Sequence, residues 1–167
     1  KNYPTCLPLR LGQVFLVRVG NEQIQSWSQS YAIHKIEKIM VYSDVMSALA
    51  SRWPENKINP SLDRIKLLLD YLGNPQDGLK VIHIAGTNGK TSTSRMVERL
   101  LRALDLRTGL FTSPHLNHPR ERISIDGSPI SVNNFEEIYR HVEPFLGLVD
   151  EKISDSPLTF FEVLTAM

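Results

Sequence analysis

Cysteine is almost missing from this chain of 167 residues: Cys6 stands alone. An internal disulfide is therefore excluded, and a reducing, cytoplasmic setting is expected. Long apolar runs are missing as well. No stretch approaches the ~20 residues needed to span a bilayer, and the patchily apolar segment 7–19 is broken by Arg10, Gln13 and Arg18, which makes a poor signal peptide. Neither sign of charge is in excess, with 19 Lys and Arg against 18 Asp and Glu. A net charge of +1 gives no argument for nucleic acid or an acidic membrane as partner. What is left is an ordinary composition, 41% hydrophobic and 22% charged, in a length that suits one modest domain with a real core. A monomer is expected.

Against that background one stretch stands out: Val81-Ile82-His83-Ile84-Ala85-Gly86-Thr87-Asn88-Gly89-Lys90-Thr91-Ser92. An apolar run at 81–85, read as a buried parallel strand, enters a glycine-containing turn and then a helix over about 91–104. Met96, Val97, Leu100, Leu101 and Leu104 lie on one face of that helix. Gly86 and Gly89 can take backbone angles closed to other residues, so successive N–H groups can curl around phosphate oxygens. The positive end of the helix points at the same oxygens. Lys90 brings a point charge to the β- and γ-phosphates, and the Thr91 hydroxyl can ligate Mg²⁺. The standard phosphate loop has glycine where this chain has Ile84, leaving the shorter G-T-N-G-K-T. A plain strand-to-helix turn is the competing reading of so short a motif, and the flanking strand and helix patterns favour nucleotide.

Residues 1–39 differ from the rest. They carry five basic and two acidic residues, lack clear periodicity, and are read as an extension or artefact without assigned function; a short hairpin packed on the domain is the alternative. From Met40 to residue 167 the pattern is that of the first part of an ATP-binding domain. Asn59-Pro60 opens a helix with Leu62, Ile65, Leu68, Leu69 and Leu72 in phase, and Gly73-Asn74-Pro75 ends it. A second strand at 108–112 completes a strand–helix–strand unit, which normally forms a right-handed parallel crossover. Asp126-Gly127 is a hairpin turn. Asn133 with Glu136 resembles a capping box for a helix through about Phe145, 147–157 reads as a polar loop, and 159–167 opens an apolar helix. The fold class is α/β: a mostly parallel sheet with flanking helices around a phosphate loop. It reads as incomplete at its C-terminal end, because an open α/β sheet needs more parallel strands.

Directly after the second strand comes Thr112-Ser113-Pro114-His115-Leu116, then Glu121-Arg122-Ile123. Ligands of open α/β sheets bind beyond the carboxyl ends of strands, where Ser113 falls. Taken singly, Ser113 reads better as a loop cap, His115 as a surface turn residue, and Arg122 as a solvated strand arginine rather than a carboxylate grip. His115 can ligate a metal, but no partner at metal-ligand spacing accompanies it. Together, Ala-Gly-Thr-Asn-Gly-Lys-Thr-Ser (85–92), Thr-Ser-Pro-His-Leu and Glu-Arg-Ile resemble the folylpolyglutamate synthases and dihydrofolate synthases of the wider Mur ligase family. The segments 57–65, Leu72-Gly73-Asn74-Pro75 and Leu158-Thr159-Phe160-Phe161-Glu162 look like that family too, so the resemblance covers 42–167. Ile84 in place of the usual glycine is the family's own form.

The resemblance implies the central ATPase domain of the Mur ligases and a defined chemistry. ATP phosphorylates a folate or dihydropteroate carboxylate, the L-glutamate amine attacks the acyl phosphate, and phosphate leaves. Gly86, Thr87, Asn88, Gly89, Lys90, Thr91 and Ser92 would hold ATP, with Lys90 as the catalytic candidate neutralising charge as the γ-phosphoryl moves. Thr91 and, by the family pattern, Ser113 would hold Mg²⁺, a hard ion suited to hydroxyl oxygens. His115, Arg122, Thr159 and Phe161 are candidates for the folate side, with Phe161 able to stack on a flat pterin; core packing competes for Phe160 and Phe161. The family's later metal ligands and closing C-terminal domain have no counterpart in the sequence, so little turnover is expected of this chain. A peptidoglycan Mur ligase fragment and a non-catalytic ATP-binding module are the competing readings.

Overall fold

The computed structural model describes residues 41–54 and 61–167. The extension at 1–39, Cys6 and the Asn59-Pro60 helix start lie outside the described residues. Five α-helices are described: α1 (Tyr42–Ala50), α2 (Asp63–Tyr71), α3 (Lys90–Arg102), α4 (Val132–Lys152) and α5 (Phe160–Ala166). They accompany a small sheet of β1 (Gly109–Phe111), β2 (Ile123–Ile125) and β3 (Ser128–Pro129), giving an α/β chain.

The core lies among α1, α2, α4 and α5. Phe135, Tyr139, Val142, Leu146 and Val149 recur every three or four residues along α4 and form a single buried stripe. Val45 and Leu49 of α1, Leu68 of α2, and Val163 and Leu164 of α5 close over it. That stripe explains why α4 outruns its expected end near Phe145 and takes in the first part of the segment read as a polar loop. Pro144 removes one helical hydrogen bond, which costs about 3 kcal/mol. Burying Leu146 and Val149 beyond it returns about 3–6 kcal/mol, so the helix continues. Its N-cap is Ser131, whose hydroxyl accepts the Asn134 N–H, rather than Asn133 with Glu136.

Two long-range ion pairs brace this cluster. The Arg64 Nε–H on α2 reaches both carboxylate oxygens of Glu162 on α5, at 3.0 and 3.1 Å, and its Nη1 donates to Ser156 Oγ at 2.6 Å. Arg52, just after α1, pairs with Asp150 of α4. Arg64 thus takes an inward position on α2, while Leu62, counted into the apolar face by spacing, is exposed.

The sheet departs from the expected parallel arrangement. Among the described residues its three strands are antiparallel in the order β1-β2-β3, with Leu110 opposite Ser124 and Phe111 opposite Ile123. The Asp126-Gly127 turn forms as the sequence predicts, both residues at positive φ (48° and 81°) as a two-residue hairpin requires. The run at 81–85 forms no strand. A strand exists only through ladder bonds to a neighbour. Among the described residues Val81 and Ile82 are exposed, and Ile84 merely packs on Leu110 and Leu101. The apolar face expected to bury α3 is likewise open: Met96, Leu100 and Leu104 are 65, 68 and 69% exposed. Ser94 and Glu98 are its buried residues instead.

Candidate nucleotide and substrate site

The phosphate loop and the first turn of α3 keep the geometry that the residue types dictate. Gly89, the N-cap of α3, sits at φ +72°. A β-carbon there would meet nothing within 4 Å, so glycine is required for the backbone angle and not for space. No side chain caps this helix end, which leaves its first N–H groups directed at whatever anion approaches. Thr93 Oγ1 donates to the Gly89 carbonyl (2.9 Å) and Ser94 Oγ to that of Lys90 (2.6 Å), pinning the turn from behind. The Lys90 ammonium folds back over the loop and donates to the carbonyls of Gly86 and Thr87. Thr87, Asn88 and Ser92 face solvent, and Thr91 is half-buried at the start of α3.

Glu98 anchors the far end of α3. Its carboxylate accepts from Thr108 Oγ1 at 2.7 Å and from Arg102 Nε at 2.9 Å, joining α3 to the hairpin that follows. Arg102 in turn lies so close to Gly127 that a β-carbon there would come within 2.6 Å of its guanidinium.

At the carboxyl end of β1, Thr112 and Ser113 are buried, and the Thr112 N–H donates to the Arg122 carbonyl. The Ser113–Pro114 peptide bond is cis. The loop beyond is tied by Glu121, whose carboxylate accepts the N–H groups of Leu116, Asn117 and His118. The Leu116 N–H foremost holds the Glu121 carboxyl below the usual carboxylate range, with His118 and Asn117 adding to it against a partial desolvation cost.

Arg122, read as a carboxylate grip or a solvated strand residue, is neither solvated nor on an open face: it is 3% exposed. Its Nε–H donates to His115 Nδ1 at 2.9 Å, and its guanidinium carbon lies 5.3 Å from the centre of the Phe160 ring. His115 is itself 6.3 Å from that ring, centre to centre. The site therefore gathers His115, Arg122 and Phe160. Phe161, the candidate for stacking on a pterin, meets Phe111 edge-on at 5.9 Å, and both phenylalanines also pack against the core cluster. Thr159 caps α5: its hydroxyl accepts the Glu162 N–H and donates to Glu162 Oε2 at 2.8 Å. Its proton is thus committed, and toward a ligand Thr159 offers a lone pair. Phe160 and Glu162 were missed by sequence reasoning. The spacing Thr159-x-x-Glu162 carried the second as a capping box, whereas neighbouring phenylalanines cannot be told apart by pattern.

Among the described residues no group of three or more His, Cys, Asp or Glu side chains could hold a metal ion, and no helix is long and apolar enough to cross a membrane.

No family model matches the chain. Individual relatives do. It is 50% identical over 137 residues to dihydrofolate synthase/folylpolyglutamate synthase of Mycobacterium tuberculosis, covering 78% of this chain and 28% of that protein. To the enzyme of the same name from Bacillus subtilis it is 36% identical, covering 65% and 25%. A solved structure of the M. tuberculosis folylpolyglutamate synthase with ADP superposes at a TM-score of 0.69 with 52% identity, over 75% of this chain and 28% of that one. Over about three quarters of its length the chain is strongly homologous to the folylpolyglutamate and dihydrofolate synthases. Its fold is the corresponding part of theirs, and it spans 28% of the length of that M. tuberculosis relative. Another structure of the set, a complex of FPGS with AMPPCP and folate, is 31% identical with a TM-score of 0.62, over 76% of this chain and 31% of that one.

Proposed function

We propose that the chain carries the nucleotide-holding part of an ATP-dependent ligase that joins L-glutamate to a folate or dihydropteroate carboxylate through an acyl phosphate. The observation that carries this reading is the uncapped N-terminus of α3 behind Gly86 and Gly89, with Lys90 already drawn over the loop. Support also comes from relatives solved with ADP and with AMPPCP and folate. Gly86 to Ser92 cradle the triphosphate. Lys90 exchanges its carbonyl partners for phosphate oxygens, which are stronger acceptors for an ammonium. His115, Arg122, Thr159 and the Phe160 ring form the folate side.

Mg²⁺ belongs to the same reading. Thr91 in the first turn of α3 and Ser113 at the end of β1 are the residues that would hold it, and their oxygens are the hard, neutral donors that this ion accepts beside phosphate. Bound there, it would neutralise charge on the transferring phosphoryl group. A cytoplasmic setting, resting on the single cysteine, and a monomeric state are part of the proposal.

Calorimetry of the chain with ATP, with and without Mg²⁺, tests it. Binding is expected, and Ser113→Ala should weaken the Mg²⁺-dependent component more than the metal-free one; equal loss in both removes the metal role. Phosphate release from Mg-ATP with dihydropteroate and glutamate measures how much ligase chemistry this part supports, and a chain that fails to bind ATP at all overturns the reading.

A further inference from the structure

We propose that Arg122 is a positioning residue that fixes the neutral ring of His115 as its Nε2–H tautomer. An arginine Nε–H can only donate, because guanidinium has no lone pair to offer. At 2.9 Å from it, His115 Nδ1 must therefore be the acceptor, and the proton of the neutral imidazole resides on Nε2.

Arg122 is well fixed for this task. It is almost wholly buried, it stands on the last residue of the 3₁₀ turn Pro119–Arg122 that leads into β2, and the Phe160 ring packs against its guanidinium at 5.3 Å. The backbone around it is held as well, since its carbonyl accepts the Thr112 N–H beside Ser113. Orientation thus passes from the β1–β2 ladder through Arg122 to the imidazole.

Two consequences follow for chemistry. With Nδ1 occupied by a hydrogen bond, His115 is not set up to ligate a metal through that atom. Its Nε2 presents a donor, so the group it recognises carries an acceptor, such as a carbonyl oxygen or a ring nitrogen. That second consequence rests on the folate-side reading above; the tautomer does not.

Long-range ¹H–¹⁵N correlation NMR of the histidine-labelled chain tests the proposal without any ligand. The expected spectrum shows His115 at neutral pH with the proton on Nε2 alone, and Arg122→Gln converts it to an averaged mixture of tautomers. A proton on Nδ1 in the unsubstituted chain overturns the proposal, as does a single unchanged tautomer in Arg122→Gln. Should that variant not fold, the through-hydrogen-bond coupling between Arg122 Nε and His115 Nδ1 in the unsubstituted chain decides: present, it supports the assignment; absent, it refutes it. Adding folate then separates the two readings. If His115 does not respond while its tautomer stands, the folate-side assignment fails and the positioning role survives.

Discussion

The cluster of α1, α2, α4 and α5 and the arm formed by the phosphate loop, α3 and the hairpin are built on opposite plans. In the cluster, apolar stripes face each other and the charged residues sit as braces between them. In the arm, the buried side chains of α3 are Ser94 and Glu98, while Met96, Leu100 and Leu104 face outward. Stability therefore resides mainly in the cluster, and the arm is joined through a few directional polar bonds. The candidate loop needs little more, because the anion site proposed there would be made by backbone angles and one helix end. Such a site forms wherever α3 forms.

The widest gap between the two plans should appear on truncation. Phe135→Ala should cost about 3–5 kcal/mol in urea unfolding, and Arg64→Ala about as much, because it leaves the buried Glu162 carboxylate without its countercharge. Leu100→Ala on the arm should stay within about 0.5 kcal/mol. Equal losses at Phe135 and Leu100 would erase the distinction. Next in size is function without stability: Lys90→Ala should weaken ATP binding by about 10- to 100-fold, with the urea midpoint unchanged. Unchanged ATP affinity by calorimetry would refute the loop assignment.

Glu98→Ala should fall between core and surface. Removing this acceptor orphans Thr108 Oγ1 at a buried position, so about 1–3 kcal/mol is expected. A neutral result would show that α3 is not held by this contact. The smallest effect is the response of the 116–121 loop to acid. The Glu121 carboxyl is depressed by the backbone N–H groups it accepts, so its contribution is present above the ordinary carboxylate range and fades as pH falls through the lowered folded value. Protection of the Leu116, Asn117 and His118 amides, measured against their intrinsic exchange rates at each pH, should fall on that descent, and Glu121→Gln should lower it already at neutral pH. Exchange that ignores both changes would mean Glu121 does not tie this loop.

What the sequence made legible is whatever depends on residues close to one another along the chain. The loop glycines, the α3 start, the Asp126-Gly127 turn and the Thr159 helix start are all local chemistry, and each was found. The parallel partner for 81–85 and the buried face of α3 depend on neighbours supplied from elsewhere, and apolar spacing alone does not say which neighbour is there. Leu100 and Leu146 look alike as letters; one is exposed and the other buried in the helical core. At the candidate site the motif Glu121-Arg122 was visible, but its work was not. That Glu121 would gather three N–H groups and Arg122 would turn inward to an imidazole depends on a loop conformation that no spacing encodes.

Arg64 meets Glu162, and Arg52 meets Asp150, each across 98 residues. Chain geometry makes the arm an excursion: the polypeptide leaves the cluster after α2, builds the loop, α3 and the hairpin, and rejoins with α4. During synthesis from the N-terminal end, the phosphate loop is therefore made well before the helices that complete its scaffold. Closing so large a ring carries an entropic cost before any brace can reward it, and non-local contacts of this kind slow folding. The order of events is thus the reverse of the order of importance to stability: the arm that carries the candidate loop is drafted first, and the frame that steadies the molecule is locked last.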